Sequence, residues 1–218
     1  MIFKLIYKPT NREIMGFAGI KGLVSQGERV KEFLESVNPD LLLISISPEE
    51  VKGLGEFLKD PFEMSLSDYE IIYGLLLSKF GEVMTPPPIY IEAMKFAELK
   101  GIQIVGIDMD EDNFQKTYSK EISSMTLVRH SLRKKKLMKK GVSGDDPYSF
   151  VDEWAKEMTR LKSFEHVEDA RVANMLKELN EYIGKQGTEA IVMDYELFSR
   201  FIMEIEKTDQ FRVQRYTL

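Results

Sequence analysis

Asn38-Pro39-Asp40-Leu41-Leu42-Leu43-Ile44-Ser45-Ile46-Ser47-Pro48-Glu49-Glu50 decides the fold. Its centre is apolar without the in-and-out alternation of a half-exposed strand. A strand of that kind is buried on both faces, as in a parallel sheet covered by helices. Asn38-Pro39 stops the preceding helix, and Ser47-Pro48 starts the next with proline at the first helical position.

Working outward, the chain alternates strand and helix. Ile2–Tyr7 is β-rich, 8–12 has turn chemistry, and 13–17 resumes an apolar run, so the first two strands read as a hairpin. Ser25-Gln26-Gly27-Glu28 has capping-box spacing ahead of Val30, Phe33, Leu34 and Val37 at helical spacing. Ser67-Asp68-Tyr69-Glu70 opens a third helix running to about Phe80. Pro86-Pro87-Pro88 leads into a helix at 89–100, closed by Gly101. A second buried strand at 103–107 delivers Asp108 at its carboxyl end. Helical stretches follow at 114–140, 147–161 and 167–183, then strands at 189–193 and 211–216. The pattern predicts an α/β fold: a mostly parallel central sheet flanked by helices, with right-handed crossovers. It reads as a single domain over 1–218 with a helical insertion at 114–183.

Composition narrows the chemistry. The 218 residues are 43% hydrophobic and 30% charged, as in a globular chain with one substantial core. Cysteine is absent, which removes disulfides, thiolate metal sites and cysteine nucleophiles together. No segment approaches the roughly 18 apolar residues of a membrane span, and 1–7 is too short for a signal peptide, so a cytoplasmic protein is expected. A net charge of −6 argues against nucleic-acid binding over the whole surface.

Few constellations carry chemistry. Asp108-Met109-Asp110-Glu111-Asp112 crowds carboxylates at the end of a buried strand, the edge where open α/β sheets bind ligands. Oxygen donors there suit Mg²⁺ or Mn²⁺. Asp108-x-Asp110 is similar to the motif of haloacid-dehalogenase phosphatases, but theirs sits on the first strand. A calcium loop is excluded, since Asn113 and Ser119 stand where glycine and glutamate are needed. The plainer account is an acidic helix entry. Asp194 and Glu196 end another apolar strand and join Asp108 if their strands are neighbours.

Arg129, Arg133, Lys134, Lys135, Lys136, Lys139 and Lys140 put seven positive charges in twelve residues, so with a net of −6 the remainder carries −13. Such a run suits an acidic partner, although a helix with one buried edge and a solvated basic face also explains it. It lacks aromatics to stack on bases. Gly16-Phe17-Ala18-Gly19 ends the second strand without phosphate-loop spacing. His130 and His166 are the two histidines, and a solvated surface position is the simpler account of each. No serine stands in a Gly-x-Ser-x-Gly elbow, and neither histidine is placed for a triad.

The order of strand-end glycine, capped helix, Asn38-Pro39-Asp40 with its apolar strand, Pro86–Pro88, Gly101, the strand ending in Asp108, and Asp169-Ala170-Arg171-Val172-Ala173 opening a late helix resembles the TraB/PrgY (pheromone-shutdown) family. The resemblance covers about 14–201. It implies the α/β fold of TIKI-type metal-dependent proteases, which use two Gly-x-x-His motifs. Here the first reads Gly16-Phe17-Ala18-Gly19 and the second Met193-Asp194-Tyr195-Glu196, so glycine and glutamate replace the imidazoles. The family's acidic residue after the Asn-Pro-Asp strand is absent from Ile44-Ser45-Ile46-Ser47, and its Asp-Arg pair reads Asp108-Met109. Glycine can neither bind a transition metal nor move a proton.

Two expectations follow. The first is a TraB-like protein that has lost catalysis and acts as a binding or interaction module without a cofactor. It would meet a small ligand or protein partner at the edge marked by Gly16, Gly19, Asp108 and Glu196. The second is a divergent hydrolase holding Mg²⁺ or Mn²⁺ through Asp108, Asp110, Asp194 and Glu196. Binding of an acidic partner through the basic run is a further alternative, and self-association as a homo-oligomer fits either expectation.

Overall fold

In the computed structural model, which describes residues 1–185 and 187–216, the chain begins as the expected hairpin. Strand β1 (Ile2–Tyr7) runs antiparallel to β2 (Arg12–Gly19), with Leu5 opposite Ile14. Helix α1 (Val24–Val37) crosses to β3 (Leu41–Ile44). Helices α2 (Pro48–Lys59) and α3 (Asp68–Leu77), a 3-10 turn at Ser78–Phe80 and α4 (Pro88–Lys100) then lead to β4 (Gln103–Gly106). Helices α5 (Glu111–Glu121), α6 (Ser124–Lys140), α7 (Pro147–Met158) and α8 (Lys162–Tyr182) separate β4 from β5 (Glu189–Asp194). Helix α9 (Tyr195–Lys207) and β6 (Phe211–Tyr216) follow. Gln186, Thr217 and Leu218, which the single-domain reading also includes, lie outside the described residues.

The strands are ordered β4-β3-β5-β2-β1-β6. The first four are mutually parallel, and β1 is antiparallel to both β2 and β6. Strand β3 therefore has neighbours on both sides and no open edge. Its four residues are all buried, and their side chains divide between two cores. Leu41 and Leu43 pack with Ile191, Met193, Trp154, Val172 and Phe198 beneath α7, α8 and α9. Leu42 and Ile44 pack with Val192, Val30, Leu34, Leu54 and Ile89 beneath α1, α2 and α4. Burying one such side chain contributes roughly 1.5–3 kcal/mol, so the unalternating strand is the residue pattern that a two-sided core selects.

Several local expectations are modified. The capping boxes at Ser47/Glu50 and Ser67/Glu70 form with both reciprocal bonds. The one expected at Ser25/Glu28 does not, because α1 starts earlier, with Leu23 at its N-cap and no side-chain cap bond. Leu23 instead forms a β-bridge with Val83, which fixes the entry to the helix. The helix expected over 114–140 is broken where Ile122 adopts extended angles and buries its side chain, and Ser123 then caps α6. Helix α9 had no sequence expectation. Two of the four helices between β4 and β5 pack against the sheet: Phe150 and Trp154 of α7 and Val172 and Met175 of α8 join its core.

Candidate functional site

The four parallel strands end on one edge, and the polar side chains that follow them meet there. Gly19 pairs in register with Asp194. Two residues beyond Gly19, Lys21 places Nζ 2.9 Å from Asp194 Oδ2 and 3.0 Å from Glu196 Oε2. Both acids are positioned by α9. Asp194 is its N-cap, where Oδ1 accepts the Glu196 N–H at 3.0 Å, and Glu196 lies in the first turn. Carboxylates in those places meet unpaired helix N–H groups and the positive end of the helix dipole.

Behind this group, the Ser45 hydroxyl just past β3 accepts the Asp194 N–H at 2.9 Å and shares a 2.9 Å hydrogen bond with the Tyr90 hydroxyl. The Tyr73 ring lies 5.7 Å from Lys21 Nζ, within cation–π range. Burial works against the Lys21 charge, yet Asp194 and Glu196 outweigh it and hold its pKa well above the ordinary lysine value. Burial pushes the Glu196 carboxyl up, opposed by the Lys21 charge. Burial also raises Tyr73 and Tyr90, with Asp194 adding to both, so both phenols stay protonated.

A second cationic centre lies alongside. Arg171 on α8 donates from Nε to Asp108 at 3.3 and 3.1 Å and from Nη2 to the same carboxylate. Its Nη1 reaches Glu168 at 3.1 and 2.9 Å. Asp108 is only 5% exposed and also accepts the Met109 N–H at 2.7 Å. Burial opposes the arginine charge, but Glu168 and Asp108 hold its pKa well above the ordinary value.

These groups floor a cavity of about 460 Å³ whose lining includes Lys21, Tyr73, Tyr90, Arg171, Asp194 and Glu196. Its lining also includes the apolar side chains of Leu54, Phe57, Phe62, Met64 and Leu66. A second cavity of about 680 Å³ shares Lys21, Tyr73, Glu168, Arg171 and Glu196, so the charged cluster is a wall common to both. Lys21 keeps 37% of its side chain exposed, which leaves it reachable by a ligand.

Of the expected ligand-facing residues, Glu196 lines the first cavity and Asp108 lies behind it as the anchor of Arg171. Gly16 and Gly19 face packed side chains. A Cβ at Gly16 would meet the Phe3 ring at 2.1 Å, and one at Gly19 would meet Phe17 at 2.7 Å and Ile89 at 3.0 Å. The four proposed metal ligands are engaged separately. Asp110 caps α5 through the Asn113 N–H at 2.8 Å, Asp108 holds Arg171, and Asp194 and Glu196 hold Lys21. Among the described residues, no group of three or more histidines and acids is arranged to hold a metal ion. These donors do not fit a divalent cation: an ammonium already bridges Asp194 and Glu196, and Gly19 brings no ligand.

The two histidines divide, His166 keeping the surface position expected of it and His130 not. His130 is only partly exposed: its ring stacks on Tyr69 and sits tilted against Phe164, with centroids 4.2 and 4.3 Å away. His166 is exposed and pairs with Glu121 at 3.1 Å. In the basic run, Arg133 pairs with Glu157 and Lys134 with Asp68, while Arg129, Lys135, Lys136, Lys139 and Lys140 are exposed.

Sequence reasoning missed Lys21, Tyr73, Tyr90 and the ion-pairing role of Arg171. A signal for Lys21 existed: a lone cation just past one apolar strand, matching acids just past another. No family model matches this chain, and no curated protein matches it significantly. No helix among the described residues is long and apolar enough to cross a membrane.

Proposed function

We propose that the protein is a non-catalytic binding module of the TraB/PrgY type that takes a small amphipathic ligand with a cationic group in the strand-edge cavity. The observation that carries this reading is the bridge from Lys21 to Asp194 and Glu196 at 2.9 and 3.0 Å. It supports loss of metal chemistry, because a fixed ammonium stands between the acids that would otherwise ligate a cation. The bridge joins the position where the resemblance expects the second imidazole, Glu196, to the strand end that carries Gly19.

The charge balance supports the ligand class. Two cations, Lys21 and Arg171, face four carboxylates, Asp108, Glu168, Asp194 and Glu196. An excess of negative charge at a partly desolvated floor favours a positive group. The apolar lining from Phe57, Phe62, Met64 and Leu66 favours an apolar body. The Ser45 hydroxyl is held by Tyr90 and the Asp194 N–H, and among the described residues neither histidine hydrogen-bonds a serine, so no serine–histidine pair supports catalysis.

Calorimetric titration with 3-phenylpropylamine and 3-phenylpropionate tests the reading. The amine is expected to bind and the carboxylate not, with Glu196→Gln weakening the amine about tenfold or more. Preference for the carboxylate, or no amine binding at millimolar concentration, overturns the ligand class. Ester or peptide hydrolysis that requires Mn²⁺ and disappears in Glu196→Gln overturns the non-catalytic reading.

A further inference from the structure

We propose that α6 seats the protein on an anionic membrane surface. The helix meets two environments, with Leu127 and Met138 exposed along one margin. Its inner side holds the body: Leu137 is buried, the His130 carbonyl accepts the Tyr69 hydroxyl at 2.8 Å, and Arg133 and Lys134 pair with Glu157 and Asp68. Its outer side carries Met125, Val128 and Leu132, which are 62%, 55% and 64% exposed. Their spacings of three and four residues make one stripe. The stripe continues into Lys135, Lys136 and Lys139, with Arg129 and Lys140 beside it. None of these five cations has an acidic partner among the described residues.

Solvent does not favour such a surface. Five large apolar side chains on α6 are exposed, and so are Ile71 and Leu75 on α3, which packs beside α6. An apolar stripe flanked by unpaired cations is the chemistry of a helix that lies in the bilayer interface, its apolar side chains among the acyl chains and its cations at anionic headgroups. Seventeen residues span about 25 Å, enough for interfacial contact, and the helix is too polar to cross. The negative charge elsewhere on the protein does not cancel the attraction, because exposed charges are screened beyond about 8 Å at physiological salt. Nucleic acid is disfavoured as the occupant, since it offers nothing to Met125, Val128 and Leu132 and the outer face has no aromatic to stack on bases.

Co-sedimentation with vesicles tests this. The full chain is expected to pellet with phosphatidylcholine vesicles containing a substantial fraction of phosphatidylglycerol and to stay in solution with pure phosphatidylcholine. Lys135→Glu/Lys136→Glu/Lys139→Glu is expected to lower the partition coefficient by at least about a hundredfold. Met125→Ser/Val128→Ser/Leu132→Ser is expected to weaken partitioning even at low salt, where charge alone would suffice for a purely electrostatic contact. All six positions are exposed, so both variants are expected to keep the wild-type circular dichroism. Three results overturn the proposal: no anionic-vesicle binding by the wild type, unchanged binding by the serine variant, or a dimer by light scattering that the serine variant abolishes.

Discussion

Arg171 and Asp108 form the joint between α8 and the end of β4, with Nε 3.1 Å from Oδ2 and a second donor, Nη2, on the same carboxylate. Asp108 is almost wholly buried, so removing its charge leaves a guanidinium partly desolvated with one acid, Glu168. Breaking a pair of this kind by removing one partner costs about 3–5 kcal/mol. Asp108→Ala is therefore expected to lower unfolding stability by about that amount in urea titration. Arg171→Met/Asp108→Leu is expected to recover much of it. A loss below about 1 kcal/mol in the single variant would show the joint to be solvated.

Gly16 is explained by packing against Phe3. The ring, itself fully buried, sits 2.1 Å from where a Cβ would stand. Gly16→Ala is expected to destabilise the fold by about 1–3 kcal/mol. Phe3→Leu in the same chain should relieve part of that cost, and a thermal-denaturation double-mutant cycle measures the coupling. Strictly additive losses would remove the ring as the cause.

His130 gives stability a dependence on pH. Burial, then Arg133 and Lys134, hold its imidazole below the ordinary value of 6.5. The unfolded chain therefore takes up the proton more readily than the folded one. Stability is complete above the unfolded value and falls as acid protonates the unfolded state, reaching its full loss below the lowered folded pKa. His130→Phe keeps a ring between Tyr69 and Phe164 and cannot be charged. Comparing urea midpoints at about pH 7.5 and about pH 5.5 should show a smaller acid-induced drop in His130→Phe than in the wild type. Glu196 moves the other way, because its raised carboxyl favours the folded state's proton uptake, so the comparison between the two proteins, rather than either slope, is the measurement.

Ser45 is expected to matter more than Tyr90. Tyr90→Phe removes one hydrogen bond and leaves Ser45 Oγ with the Asp194 N–H, at a cost of about 0.5–1.5 kcal/mol. Ser45→Ala leaves both a buried hydroxyl and a buried N–H unpaired, at about 1–3 kcal/mol. Equal effects in guanidinium denaturation would count against Ser45 as the partner shared by Tyr90 and the Asp194 N–H.

The parallel sheet was legible because β3 and β5 are apolar without alternation, which no half-exposed strand tolerates. Turn chemistry likewise marked the β1–β2 hairpin. Strand order was not legible: nothing in 189–194 says that it enters between β3 and β2, since that depends on how four intervening helices pack. Helix α9 carries its signal openly in Leu197, Phe198, Phe201, Ile202 and Ile205, and reading Asp194 as a metal ligand obscured its role as the helix cap. The site was legible only in half. Glu196 and Asp108 stood out at strand ends, whereas Lys21 and Arg171 acquire meaning from those partners, 175 and 63 residues away along the chain.

The position of β5 also orders events in time. Met15 pairs with Ala190, and Leu42 pairs with that same residue from the other side. During synthesis β2 and β3 are made early and have no partner on their facing edges until the chain has passed Asp194. Those edges are exposed templates for wrong pairing throughout that interval, and closure by such distant contacts is slow. Nascent chains halted before β5 should therefore be the aggregation-prone species, and the finished sheet should form in a late, concerted step.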